Sequence, residues 1–214
     1  LMVRLVKGAY WDQEIKIHQN KGAPNLPVFS SKSFTDLNYL HTAKLISQTK
    51  NLRPYFATHN AHTIAGIMSL YENREDEFEF QRIFGMGDIT YKNAKNIYTK
   101  FPVTRIYAPV GSKKELLPYL VRRLLENGAN SSFVNKYLDK QIPISEVIEN
   151  PIDVASRNLD EKEYLEHVKR PLNVFSDRKN SKGYDLADRK KILELANETS
   201  KYLSHTFEAT SIID

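Results

Sequence analysis

Four short runs of apolar and aromatic residues mark the first half of the chain: MVRLV at 2–6, YFATHN at 55–60, FEFQRIFG at 78–85 and TRIYAPVG at 104–111. Each has the length and residue types of a strand, and each is followed by Gly or polar residues and then by a helical pattern. Thr35 and Asp36 are placed to cap a helix whose face carries Leu37, Leu40, Ala43 and Ile46. AHTIAGIMSLY at 61–71 gives a second helix, and SKKELLPYLVRRLLENG at 112–128 a third. In the third, Ser112 and Glu115 form a capping box and Gly128 supplies a left-handed stop. Leu117, Leu120, Leu124 and Leu125 make its apolar face.

Alternating strands and helices with short links predict βα units and a parallel sheet. The functional ends of such strands are their C-terminal ends. Polar residues gather there: Lys7-Gly8-Ala9-Tyr10-Trp11, Thr58-His59-Asn60, Gly85-Met86-Gly87 and Tyr107-Ala108-Pro109. An Arg inside an apolar strand has no role in a core, so Arg4, with Lys7, is expected to point into the mouth of a barrel or sheet.

From about Lys136 the chain becomes charged and Asn-rich, with few apolar residues until a terminal helix, DLADRKKILELANETSKYL at 185–203. This stretch reads as a connector plus a helix, not as a second complete domain. The chain opens on Leu1 with a strand-like run at once, and it is read as a piece of a longer polypeptide whose earlier part of the fold is not included. Hydrophobic residues make up 41% and charged residues 27%, an ordinary globular balance. No run approaches the roughly 18 apolar residues of a membrane-spanning helix. The absence of Cys rules out a disulfide, a thiol nucleophile and a thiolate metal site, and it fits a reducing cytoplasm. The net charge of +5 comes from scattered Lys residues with no dense basic stripe, so no nucleic-acid-binding motif emerges.

Arg4 and Lys7 near a strand end can hold an anion or an electron-rich ring, or they can be surface ion pairs. His59 and His62, three apart, can share a metal with Asp88 as a further ligand, as in a barrel hydrolase. The simpler reading has one His binding a polar ligand and the other structural. Arg122 and Arg123 can clamp a carboxylate, or can face solvent and pair with Glu126. Gly85-Met86-Gly87 permits close backbone approach but is neither a dinucleotide fingerprint nor a phosphate-binding loop.

The strings VRLVKGAYWD, FATHNAHT, FEFQRIFGMG, RIYAPVG and LPYLVRRLLENGANSSFVN resemble, in order and spacing, the proline dehydrogenase family. The likeness is greatest to its bacterial bifunctional members, in which a proline dehydrogenase barrel precedes an aldehyde dehydrogenase. It is dense over residues 2–137 and continues weakly through RPLNVFSDRKNSKGYDL. The resemblance implies an α/β chain. Residues 1–137 would be the second half of a (βα)8 barrel, its last four strands and their helices. Residues 138–214 would be a helical and irregular connector toward an absent aldehyde dehydrogenase domain.

The implied activity is FAD-dependent oxidation of L-proline to Δ1-pyrroline-5-carboxylate, by hydride transfer to flavin N5. The electrons would pass to quinone, in a cytoplasmic enzyme that can lie peripherally at the inner membrane. By motif position, Arg4 would approach flavin N5 and Tyr10 would order the substrate cluster. Ile83 and Tyr107 would wall the proline ring, and Arg122 and Arg123 would bind its carboxylate. Val6, Lys7, Gly8, Ala9, Trp11, Lys32, Thr35, His59, Asn60, Glu126 and Ser132 would contact the cofactor. Two departures stand out: the Arg of the family's TRK string is Ser31 here, and the His of its LHGMG string is Phe84. A half barrel leaves strand edges unpaired, so the chain is expected to need the N-terminal half, or to be a truncated or split fragment inactive without it.

Overall fold

A computed structural model of the chain describes residues 1–8, 10–128, 141, 143–160 and 168–211. The described residues fall into two compact units, residues 1–9 with 29–167 and residues 10–28 with 168–214.

The first unit is built on four parallel strands, β1 (Met2–Leu5), β2 (Arg53–Ala57), β3 (Glu79–Ile83) and β4 (Thr104–Tyr107), in the spatial order β1-β2-β3-β4. All four overlap the apolar runs of the sequence, although β2 starts two residues before its run and the runs at 55–60 and 104–111 extend three and four residues past their strands. Successive strand side chains point to opposite faces, and here the two faces differ in kind. Phe56 and Phe80 point to the side where helices pack. They are buried with Tyr39 and Ala43 of α2 (Lys32–Gln48), Ile64, Ile67 and Met68 of α3 (Ala61–Leu70), and Tyr91 and Ala94 of α4 (Asp88–Ile97). Phe78 lies edge-on to both Phe56 and Phe80, with ring centroids 5.6 and 5.3 Å apart. Burying each such ring stabilises the unit by about 1.5–3 kcal/mol before entropy is counted. Tyr39 locks α2 to the sheet by donating to the carbonyls of Leu5 and Ala57 at 3.4 and 3.3 Å.

The other face carries Arg4, Tyr55, Ala57, Glu79, Gln81, Ile83, Arg105 and Tyr107 by the same alternation and by the strand register. Glu79 is nearly buried there because Arg105 donates Nε and Nη2 to its Oε2 at 3.0 and 2.9 Å, with Arg53 at 3.6 Å. All-parallel sheets are normally covered on both faces. Here Arg4, Arg105 and Tyr107 remain exposed.

Three helical details differ from expectation. The second helix starts at Lys32, so Thr35 and Asp36 lie inside it and do not cap it. The Asp36 carboxylate is drawn instead to the amines of Lys7 and Lys32. In α5 (Lys113–Gly128), Gly128 is the last helical residue and not a stop beyond the end. Only the glutamate half of the capping box forms, with Glu115 accepting from the Ser112 amide and hydroxyl at 2.8 Å each. The expected apolar face of α5 is present but uncovered: Leu117, Leu120, Leu124 and Leu125 are each more than half exposed. Two further helices follow, α6 (Ile144–Val147) and α7 (Pro151–Asp160). The second packs on α2, where the Asn158 amide reaches the hydroxyls of Ser31 and Ser33 at 3.2 and 2.8 Å.

The second unit joins α1 (Trp11–Asn20), which the hydrophobic pattern did not announce, to the tail that carries α8 (Arg189–Ser200). Gln19 donates to the Lys169 carbonyl at 2.8 Å, and Asn180 donates to the carbonyls of Gln19 and Pro171 at 2.9 and 3.0 Å. Gly183 donates its amide to the Gly22 carbonyl at 2.8 Å. A side chain at Gly183 would stand 1.8 Å from the Lys21 carbonyl oxygen, so the two segments can meet only through glycine. Asp188 caps α8 through the amides of Lys190 and Lys191. Among the described residues no helix is long and apolar enough to cross a membrane.

Candidate active site at the strand ends

Arg4 reaches diagonally across the bare face. It is level with Tyr55 in the register, whereas its Nε donates to Gln81 Oε1 at 2.8 Å, level with Ala57. Ala57 is small, so the arginine stem can cross β2 at that level. Its Nη2 donates to the Tyr107 hydroxyl at 3.0 Å, level with Ile83, and its guanidinium carbon lies 5.4 Å from the Tyr107 ring centroid. Arg4 therefore climbs from mid-strand to the C-terminal end of β4. An open cavity of about 350 Å³ is lined by Arg4, Gln81, Arg105 and Tyr107. Ile83 is buried beside this row.

The second cluster sits just beyond β1. Lys7 donates to Asp36 and to Thr63 Oγ1 at 3.1 Å, and it lies 5.5 Å from the Tyr39 ring centroid. Burial pushes the Lys7 ammonium below its ordinary value even against the pull of Asp36. Burial acts to raise Asp36, but Lys7 and Lys32 outweigh it and hold the carboxyl below its usual range. His62 is likewise lowered, first by burial and then by the Lys7 charge.

His59 and Asn60 follow β2. Asn60 is the cap of α3, accepting the Thr63 amide at 3.1 Å. His59 Nε2 accepts the Ile83 amide at 3.1 Å, which fixes the proton on Nδ1 in the neutral ring. Burial, then the charges of Arg123 and Arg82, press His59 down to about 4. Arg123, on α5, thus acts on His59 through its charge. Arg122 and Arg123 are half-buried, and the Arg123 guanidinium carbon lies 5.3 Å from the Tyr119 ring centroid.

The remaining expectations fall as follows. Val6 is exposed, and Thr35 is half-buried in the first turns of α2. Lys32 is tied to Asp36. Tyr10 and Trp11 open α1 in the second unit, both partly exposed. Ala9, Ser132 and the side chain of Glu126 lie outside the described residues. A metal on His59, His62 and Asp88 is disfavoured, because His59 Nε2 is taken by Ile83 and Asp88 pairs with Arg82 at 2.6 Å. No group of three or more His, Asp or Glu able to hold a metal occurs among the described residues. Of the departures, Ser31 bonds Ser33 at 2.8 Å, and Phe84 is 73% exposed. Gln81 is the residue that sequence reasoning missed. Its signal was the alternation of Glu79 and Gln81 with Phe78 and Phe80, which puts polar side chains on the face opposite the core.

A flavin needs open space at the strand ends, donors for its polar rim and a cation near its electron-accepting ring. Gly8 and Gly85 lie at the ends of β1 and β3, and a Cβ built on either meets nothing within 4 Å. Arg4, Lys7 and His59 supply a cation and donors around the same ends. The residues present therefore fit such a group.

Comparison with known proteins identifies the family that the chain resembles. The family model described as proline dehydrogenase matches residues 1–136. The chain is 40% identical over its whole length to the bifunctional protein PutA of Klebsiella aerogenes and covers 17% of that protein. It is 42% identical over 92% of its length to the bifunctional protein PutA of Escherichia coli, covering 16% of it. Among solved structures it resembles a crystal structure of bifunctional proline utilization A with a TM-score of 0.82 and 40% identity, covering all of this chain and 21% of that one. A variant of Bradyrhizobium japonicum proline utilization A gives a TM-score of 0.81 at 41% identity, over 94% of this chain and 20% of that one. The chain thus spans about a fifth of the length of the relatives it matches.

Proposed function

Because the chain belongs to the proline dehydrogenase family, we propose that it supplies the C-terminal half of a (βα)8 barrel that oxidises L-proline to Δ1-pyrroline-5-carboxylate with FAD. The observation that carries this reading is the meeting of Arg4 and Tyr107 in one cavity at the C-terminal ends of parallel strands. Barrel enzymes place their chemistry at that end. The helix-packed face, the bare polar face and the sequential strand order β1-β2-β3-β4 support a half barrel whose inner wall awaits its other strands.

FAD, when bound, supplies the acceptor at N5 for the hydride leaving the ring carbon next to the proline nitrogen. The chain's residues hold the partners. Arg122 and Arg123 bind the proline carboxylate through charge-assisted hydrogen bonds. Tyr107 and Ile83 wall its ring, which excludes water, and Tyr10 orders that cluster. Arg4 brings positive charge to the electron-accepting ring. Lys7, Lys32, Thr35, His59 and Asn60 hold the cofactor, with Val6, Gly8, Ala9, Trp11, Glu126 and Ser132 as further contacts. Transfer of the electrons to quinone at the membrane face and a cytoplasmic setting belong to the same reading and rest on family likeness.

The uncovered strand and helix surfaces also favour a second statement: residues 1–214 have no activity without the N-terminal half. The test is dye-linked proline oxidation, with the pyrroline product trapped, by the polypeptide carrying this segment together with that half. Arg122→Ala is expected to raise the KM for proline at least tenfold, the loss of a charge-assisted pair. An unchanged KM in both Arg122→Ala and Arg123→Ala contradicts the assignment.

A further inference from the structure

Among the described residues, five arginines pair with a carboxylate: Arg53 and Arg105 with Glu79, Arg74 with Glu77, Arg82 with Asp88 and Arg157 with Glu149. Arg4 differs. Its two hydrogen-bonded nitrogens meet neutral acceptors, the Gln81 amide oxygen at 2.8 Å and the Tyr107 hydroxyl at 3.0 Å. Among the described residues it has no carboxylate partner. The contrast is sharpest along β3. Glu79, two residues before Gln81 on the same face, takes the charge of Arg105 and Arg53. Gln81, with a side chain of nearly the same size and reach, takes Arg4 without opposing its charge.

We propose that Gln81 is a positioning residue that fixes the Arg4 guanidinium while leaving its positive charge uncompensated. The physical reason is the difference between an amide and a carboxylate as acceptor. Both can receive Nε–H with the same geometry, but only the carboxylate cancels the field felt by a neighbour. Because Nε is a donor, the carboxamide must turn its oxygen to Arg4. Its NH2 group then points away from the guanidinium, and the residue lines the cavity. Two acceptors on two different strands fix the plane of the guanidinium. Nη1, which makes no hydrogen bond among the described residues, is then left for a ligand. Such an arrangement suits a ligand that becomes more negative during the reaction. A fixed, uncancelled cation favours its reduced form over its oxidised form. The proposal rests on the flavin reading above.

The test uses the holoenzyme carrying this segment, with three measurements: flavin content, flavin midpoint potential and steady-state kinetics with L-proline. Gln81→Glu keeps the acceptor and adds the opposing charge. It is expected to retain flavin but to lose about tenfold in preference for reduced over oxidised flavin, a fall of about 30 mV in a two-electron potential. Gln81→Met keeps the volume and removes the acceptor. It is expected to retain flavin and leave the potential closer to that of the unsubstituted protein, while kcat falls fivefold or more as Arg4 loses its orientation. A merely structural role for Gln81 moves neither the potential nor its difference between the two variants. Normal flavin and proline activity in the unsubstituted protein, with both variants at its potential, overturns the proposal alone. Absence of flavin from the unsubstituted protein overturns the reading beneath it and the proposal together.

Discussion

His59 shows how a single side chain sets a pH limit. Its ring is pressed down to about 4 by burial and by Arg123 and Arg82, against an ordinary value of 6.5. The unfolded chain binds the proton first, so stability is complete above pH 6.5 and falls as the pH drops toward 4. The full loss is about 3 kcal/mol for this group, and less to the extent that water reaches it. His62, also lowered, adds a loss of the same sign. Denaturation midpoints of the holoenzyme between pH 4 and 7 should show this slope, and His59→Gln should flatten it. A second prediction concerns Lys7. Lys7→Met leaves Asp36 with Lys32 alone and removes a donor to Thr63. We expect a lower flavin content and a midpoint lowered by the equivalent of about 1–3 kcal/mol, read by absorbance and thermal melting. At this scale the sequence was partly legible. Arg4 was conspicuous as a charge in an apolar strand, and His59 as a polar residue at a strand end. Gln81 was not picked out, because its partner lies two strands away and register is a tertiary fact. The pairing of Asp36 with Lys7 is hidden for the same reason, since local sequence offers Asp36 only as a helix cap.

Among elements, the strands were the most legible. β1 to β4 fall on the four apolar runs, since burial on one face demands aromatic and branched residues at alternate positions. Phe80 is fully buried where the sheet meets α4. Phe80→Ala is expected to cost about 3–5 kcal/mol, measurable as a fall in melting temperature. Helix α1 escaped notice because its apolar positions are few: only Ile15 and Gln19 are buried, and its support comes from the distant tail. The close approach of Gly22 and Gly183 joins these segments. Gly183→Ala should force them apart at a cost of about 2–4 kcal/mol. Limited proteolysis should then cut the tail sooner in the variant than in the unsubstituted protein. The apolar stripe of α5 is legible in the spacing of its leucines, but spacing along one helix does not say what covers it, and Leu117, Leu120, Leu124 and Leu125 stay exposed.

For the whole molecule, the asymmetry of the sheet dominates. One face carries an aromatic core, and the other carries arginines, a buried glutamate and an open cavity. A parallel sheet with one bare polar face and edge strands β1 and β4 is what the proposed half barrel would present. Residues 1–214 alone should self-associate, and light scattering should show less of it when the N-terminal half is co-expressed. The measurement that tests the central claim most directly is the anaerobic absorbance spectrum of the complete enzyme as L-proline is added. The account predicts a bound flavin band that bleaches with L-proline, and bleaches only at much higher concentrations in Arg122→Ala. A bound flavin that L-proline leaves oxidised, or no flavin in the complete enzyme, would contradict it.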